Sequence, residues 1–183
     1  MLKNSNSNLF KETVGKFIDD AKYDLIFMDG NGDCPSSNDA CTDASYIANS
    51  GTIYIFIEKY SGSNLEDEAL FLHEAIHAEI ARYVYRFEQE EDPNIRARMF
   101  ELLKYYREME VAEEDINHPY MTLYYINPIA SALRKLDDFK YPLEYYKSFA
   151  WDGLRDWDVS NLLEMEEAQE YTEYRTIVNE IQI

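Results

Sequence analysis

Residues 73–77 read His-Glu-Ala-Ile-His, which is the H-E-x-x-H pattern. On a helix, residues i and i+4 stack on one face, so the imidazoles of His73 and His77 can bind one zinc ion. Glu74 would then lie beside the metal, where it can accept a proton from zinc-bound water. The pattern predicts zinc-dependent hydrolysis, with Glu74 as the catalytic residue and the two histidines as metal ligands.

A catalytic zinc site needs a third protein ligand and an open fourth position. The chain contains three histidines, which leaves His118 as the remaining imidazole. The alternative is a carboxylate from an acidic segment, acting as a ligand or as a hydrogen-bond acceptor for a ligating imidazole. These carboxylates belong to Glu110, Glu113 and Glu114. The metzincin continuation is absent, because Ile80 and Tyr83 occupy its glycine and histidine positions.

Residues outside the motif suggest two further hypotheses. A tyrosine close to His118, either Tyr120 or Tyr124, can donate a hydrogen bond to the oxyanion of a tetrahedral intermediate. A plain polar turn is the preferred interpretation of residues 29–33, with a calcium site as the alternative. Its ligands would be Asp29, Asn31 and Asp33. The EF-hand continuation fails, since Cys34 and Ala40 stand where that loop has glycine and glutamate.

The elements that must position the motif follow from hydrophobic periodicity. Apolar runs at 23–28 and 51–59 predict two strands. Apolar spacing near 3.6 predicts a helix over 9–22, and Ser63 with Glu66 forms a capping box that starts a helix reaching Phe87. Further helices are predicted over 94–114, from His118 with an interruption at Pro128, over 143–151 and over 160–182. Residues 1–8 are polar and expected to fray.

These elements predict one α+β domain over residues 1–183, predominantly helical, with a small N-terminal sheet and an active-site helix. The net charge of −19 excludes nucleic acid as a main partner, because phosphate binding needs a basic surface. No apolar run is long enough to span a membrane. The sequence leaves the oligomeric state open.

Compartment and redox state are linked. The N-terminus lacks an apolar signal region, which predicts a cytoplasmic protein, whereas a native form with a longer leader would be exported. Cys34 and Cys41 are expected to be ordinary thiols, and in an exported form they would close one small loop.

The chain resembles zincin metallopeptidases, and within them small bacterial SprT-like proteins. The resemblance rests on residues 72–78, 118–121, 125–133 and 145–154, and among these only H-E-x-x-H is a specific motif. It implies a zincin-like fold with His73, His77 and His118 as zinc ligands and Glu74 as base. It also implies that a peptide pairs with the strand at 52–58 as a sheet edge. The chain lacks a Cys-x-x-Cys zinc ribbon, which argues against the DNA-linked role of some relatives.

The predicted function is therefore a zinc metallopeptidase that acts on a peptide or protein substrate. One alternative is a catalytically silent interaction module stabilised by zinc. Another is an acidic inhibitor of a basic partner, which explains the charge but leaves the histidines without a role.

Overall fold

The structure of the chain is a computed structural model. The described residues are 8–90 except 31, 33, 36 and 37, then 113–152, and 154, 173, 174, 176, 177 and 180. For helical residues 8, 87–90, 113–120, 122 and 123, the backbone alone is described.

The fold is mixed α+β, with a three-stranded sheet of order β1-β3-β2. Strand β1 (Asp24–Asp29) pairs in parallel with β3 (Thr52–Ile57), and β2 (Ala40–Asp43) pairs antiparallel with β3 on its other side. The short helix α2 (Ile47–Ser50) precedes β3. Gly51 joins the two with a positive φ of 73°, and a Cβ there would collide with the backbone oxygen of Lys22.

The long helix α3 (Asn64–Glu90) connects the sheet to the helical part of the molecule. One of its sides packs on the sheet, where Ala78 joins buried Ile53 and Ile55; we call this group the sheet core. Its other side contributes Leu72 and Ile76 to a second apolar group, the helical core. Burial on two sides explains why α3 contains apolar residues around most of its circumference.

Helices α4 (Glu113–Leu136) and α5 (Leu143–Ala150) complete the helical core. Trp151 and Leu154 are buried in a turn that follows α5. Within the described ranges, no helix combines the length and the apolar character that a bilayer crossing requires.

The two predicted strands are present, as are the predicted helices that begin after Ser63, run through His118 and span 143–151, whereas the helices predicted over 94–114 and 160–182 lie largely outside the described residues. Instead of one helix over 9–22, the chain forms α1 (Asn8–Glu12) and a 3₁₀ turn (Val14–Lys16). Buried Thr13 bonds its hydroxyl to the Leu9 carbonyl at 2.8 Å, and Asp19 adopts a positive φ of 62°. A side-chain bond to the backbone competes with helix continuation here.

An interruption of the helix was expected at Pro128, but α4 continues through this residue. Asn127 and Pro128 are exposed, whereas Ile126 and Ile129 are buried in the helical core. The hydrogen bond that proline cannot donate therefore lies on the solvent side, where water can compensate for it.

The start of α3 was predicted correctly, and Asp67 in its first turn fixes the segment that leads into it. Its carboxylate accepts hydrogen bonds from the backbone N–H of Ser61 at 2.7 Å and from the Ser61 hydroxyl at 2.9 Å.

The expectation that the strand at 52–58 is a sheet edge is wrong. Strand β3 is central, paired on both sides, and the edges are β1 and β2. Strand β2 was not predicted, because four residues are too few for a clear alternation of apolar and polar side chains.

The two cysteines form a disulfide, contrary to the expectation of ordinary thiols. Their Cα atoms lie 5.9 Å apart, within the range that a disulfide spans. Cys41 belongs to β2, and pairing of β2 with β3 brings it back towards Cys34.

Candidate metal centre

The H-E-x-x-H motif lies on α3 at a boundary between the two cores. Leu72 and Ile76 face the helical core and Ala78 faces the sheet core. At 100° per residue, His73 and His77 fall between these two sides. We call His73, Glu74 and His77 the histidine boundary.

The two imidazoles face one another. The Nε2 atoms of His73 and His77 lie 3.0 Å apart, and the ring centroids are 4.8 Å apart. Two nitrogen ligands at 2.0–2.1 Å from a tetrahedral zinc ion are separated by about 3.3 Å. The observed distance is also compatible with a hydrogen bond in which one ring donates and the other accepts. Two metal-capable nitrogen atoms are therefore close enough to share an ion.

Glu74 is buried between the helix and the sheet, with 5% of its surface exposed. The Thr42 hydroxyl lies 2.7 Å from the Glu74 carboxylate oxygen Oε2 and 3.0 Å from the Glu74 backbone oxygen. Burial raises the pKa of Glu74 from 4.5 to about 7, and the hydrogen bond from Thr42 opposes part of this rise. A carboxyl group with a pKa near neutrality can both accept and release a proton at ordinary pH.

The proposed third ligands come from residues 110–118 of the chain. The backbones of His118, Glu113 and Glu114 belong to α4, but their side chains are outside the described part of the structure, as is all of Glu110. Among the side chains that are described, no three His, Cys, Asp or Glu residues are grouped so that they could hold one metal ion together. The identity of the third ligand therefore remains a prediction.

The structure describes only some of the remaining predicted site residues. Tyr124 lies on α4 with half of its surface exposed, and the side chain of Tyr120 lies outside the described residues. Asp29 ends β1 and accepts a hydrogen bond from the Tyr60 hydroxyl at 3.2 Å. Its proposed calcium partners, Asn31 and Asp33, are also outside the described residues.

Sequence reasoning missed a buried ion pair on the opposite side of α3. Arg82 donates from Nε to Oε2 of Glu79 at 2.8 Å and from Nη2 to Oε1 at 3.1 Å. Its Nη1 atom lies 3.4 Å from Oδ2 of Asp20. Burial alone would lower the pKa of Arg82, but its interactions with the carboxylates of Glu79 and Asp20 raise it overall. We call Glu79 and Arg82 the arginine boundary.

Sequence reasoning also missed Thr42, which is 32 residues from Glu74 in the chain. The sequence signal for the arginine boundary was present, since acidic and basic residues three apart on a helix can pair. No comparable local signal connects Thr42 to α3.

Comparison of the chain with family models, with curated proteins and with solved structures gives no match.

Proposed function

We propose that the protein is a zinc-dependent metallopeptidase of the zincin type. The observation that carries the proposal is the 3.0 Å separation of the Nε2 atoms of His73 and His77, on a helix whose next residue after His73, Glu74, has a buried carboxyl group. Imidazole nitrogen is a preferred zinc ligand, and a helix presents the pair without the entropy cost of ordering a loop. The donor set therefore fits zinc.

Glu74 would act as the general base and then as the general acid. When bound, zinc would supply Lewis acidity for the scissile carbonyl and for the attacking water. The Glu74 carboxylate would accept a proton from that water and return it to the leaving amine. The raised pKa of Glu74 supports this role, because proton transfer in both directions is most efficient near the working pH.

His118 is our proposed third ligand. Position 118 precedes Met121 by three residues and Tyr125 by seven, which places it on the same side of α4 as these buried residues. Position 114 falls on that side too, so Glu114 is the principal alternative.

A peptide substrate would lie along β2, not along β3. Strand β2 is a sheet edge, and its residue Thr42 contacts Glu74. An extended peptide can add to such an edge through backbone hydrogen bonds. The net charge of −19 would favour basic peptides through electrostatic attraction.

The test uses the purified full-length chain. We expect one zinc per chain by elemental analysis, and hydrolysis of a peptide library that stops on chelation and returns with added zinc. In Glu74→Gln, turnover should fall by at least about 100-fold while zinc is retained, since general base catalysis contributes this much. Glu144→Gln, at an exposed position on α5, is the matched control and should match the wild type.

Full hydrolysis by Glu74→Gln would remove Glu74 from the mechanism. Zinc held by four protein ligands without hydrolysis would instead support the zinc-stabilised interaction module. Absence of zinc from a correctly folded chain would overturn both.

A further inference from the structure

The Thr42 hydroxyl contacts both the carboxyl group and the backbone of Glu74. It lies 2.7 Å from Oε2 of Glu74 and 3.0 Å from the Glu74 backbone oxygen. The second distance locates the hydroxyl against the backbone of α3, so the carboxylate is held relative to the helix that also bears His73 and His77.

Threonine is suited to this task. Its β-branched side chain has few accessible χ1 rotamers, whereas a glutamate side chain has three torsions and would otherwise sample several positions. Valine has the same shape without the hydroxyl, and serine keeps the hydroxyl without the branch.

Thr42 belongs to strand β2, which is held both by its pairing with β3 and by the disulfide. Thr42 is paired with Ile55 of β3, and the Asp39 carbonyl accepts hydrogen bonds from the backbone N–H groups of Glu58 at 2.9 Å and Lys59 at 3.1 Å. The residue before Thr42 is Cys41, which is linked to Cys34. The disulfide closes the loop that leads into β2 and therefore restricts the position of this short edge strand.

We propose that Thr42, held in register by β2 and the Cys34–Cys41 disulfide, is a positioning residue for Glu74. This inference rests on the proposed function, because it assigns Thr42 to the hydrolysis that Glu74 would carry out. Thr42 acts through Glu74 and need not contact the substrate.

The first experiment compares Thr42→Val with Thr42→Ser in the full-length chain. Thr42→Val should lower kcat by about 10- to 100-fold, the effect of losing one hydrogen bond to a charged group, with KM and zinc content unchanged. Thr42→Ser should restore most of the activity. Thr52→Val is the matched control on β3, because Thr52 bonds to Ser50 and not to Glu74. If Thr42→Val does not fold, Thr42→Ala replaces it.

A second readout does not depend on activity. Crystal structures of the wild type and of Thr42→Val show the position of the Glu74 carboxyl group directly. In Thr42→Val this group should leave its wild-type position or occupy more than one position, since the hydroxyl that contacts it is gone. A wild type without hydrolytic activity would overturn the proposed function, and a single, unchanged position of the Glu74 carboxyl group in Thr42→Val would overturn this inference.

The disulfide is tested by reduction with tris(2-carboxyethyl)phosphine, a reductant without the zinc-binding thiols of dithiothreitol. The phosphine is oxidised to its oxide with oxygen and protons from one water molecule, and the Cys34–Cys41 bond becomes two thiols. Reduction should lower kcat in the wild type and have little further effect in Thr42→Val, because both changes act on one contact. An equal loss in both backgrounds would show that the disulfide does not act through Thr42.

Discussion

The histidine boundary and the arginine boundary lie on opposite sides of one helix, and both bury a glutamate. Glu79 is 1% exposed and meets the guanidinium group of Arg82 through two hydrogen bonds. Glu74 is 5% exposed and is held by the neutral hydroxyl of Thr42. The two glutamates therefore differ in the partner that they meet, which is a cation for Glu79 and a neutral hydroxyl group for Glu74.

The cause is the cost of burying charge. A buried carboxylate stays ionised when a cation compensates for lost hydration, and such a pair serves the architecture. A hydroxyl compensates only in part, so the proton affinity of Glu74 rises, as shown by its pKa of about 7. Strongly perturbed pKa values cluster at functional sites, which is consistent with the role that we propose for Glu74.

The largest expected effect comes from a substitution that breaks the ion pair of the arginine boundary. Arg82→Met should lower the free energy of unfolding by about 3–5 kcal/mol, because the buried Glu79 carboxylate loses both of its hydrogen bonds to the guanidinium group. Urea unfolding measures this loss. Lys59→Met is the control, since the pair of Lys59 with Asp39 is exposed at 3.6 Å and should contribute no more than about 1 kcal/mol.

Adding Glu79→Met to Arg82→Met should recover much of the lost stability, because two apolar side chains leave no buried charge. A cost for Arg82→Met as small as that for Lys59→Met would show that the guanidinium group does not carry the architectural role assigned to it.

The next largest expected effect is a change in the free energy of unfolding with pH, caused by Glu74 of the histidine boundary. It is measured on the chain after treatment with a chelator. Glu74 ionises near 4.5 when unfolded and near 7 when folded, so the folded state binds an extra proton between these values. Its contribution to stability is therefore complete below pH 4.5 and is lost as pH rises through 7. The loss is on the order of 3 kcal/mol at 1.36 kcal/mol per pKa unit.

Comparison with Glu74→Gln isolates this contribution, because the glutamine variant keeps all three histidines. As pH rises from 4.5 to 7.5, the unfolding free energy of the wild type should fall relative to that of Glu74→Gln. A constant difference across this range would mean that Glu74 ionises normally and that the two boundaries do not differ as described.

The smallest expected effect is at the rim of the arginine boundary. The Asp20 side chain is 20% exposed, lies 3.4 Å from Arg82, and accepts a hydrogen bond from the Lys22 backbone N–H at 2.9 Å. Asp20→Asn keeps an acceptor for the backbone but loses the charge, so we expect a cost of about 0.5–1 kcal/mol. A cost equal to that of Arg82→Met would make Asp20, and not Glu79, the main counter-ion.

The prediction of the fold succeeded where structure is local. The apolar runs that end at Asp29 and Ile57 were predicted to be strands, and the structure has strands there. The apolar spacing of α3 predicted the helix that contains residues 73–77. It failed at Thr13 and Pro128. There, a side-chain hydrogen bond or the side on which a proline lies determines whether a helix continues.

The sequence by itself determined that two imidazoles and a carboxyl group share one helix, because a spacing of four residues fixes their relation wherever the helix lies. Only the tertiary structure decided which strand is the edge, which hydroxyl holds Glu74, and which carboxylates meet Arg82. Thr42 and Glu74 are 32 residues apart, and Asp20 and Arg82 are 62 apart. Contacts at such separations depend on how the sheet and the helices pack, which periodicity along the chain does not encode.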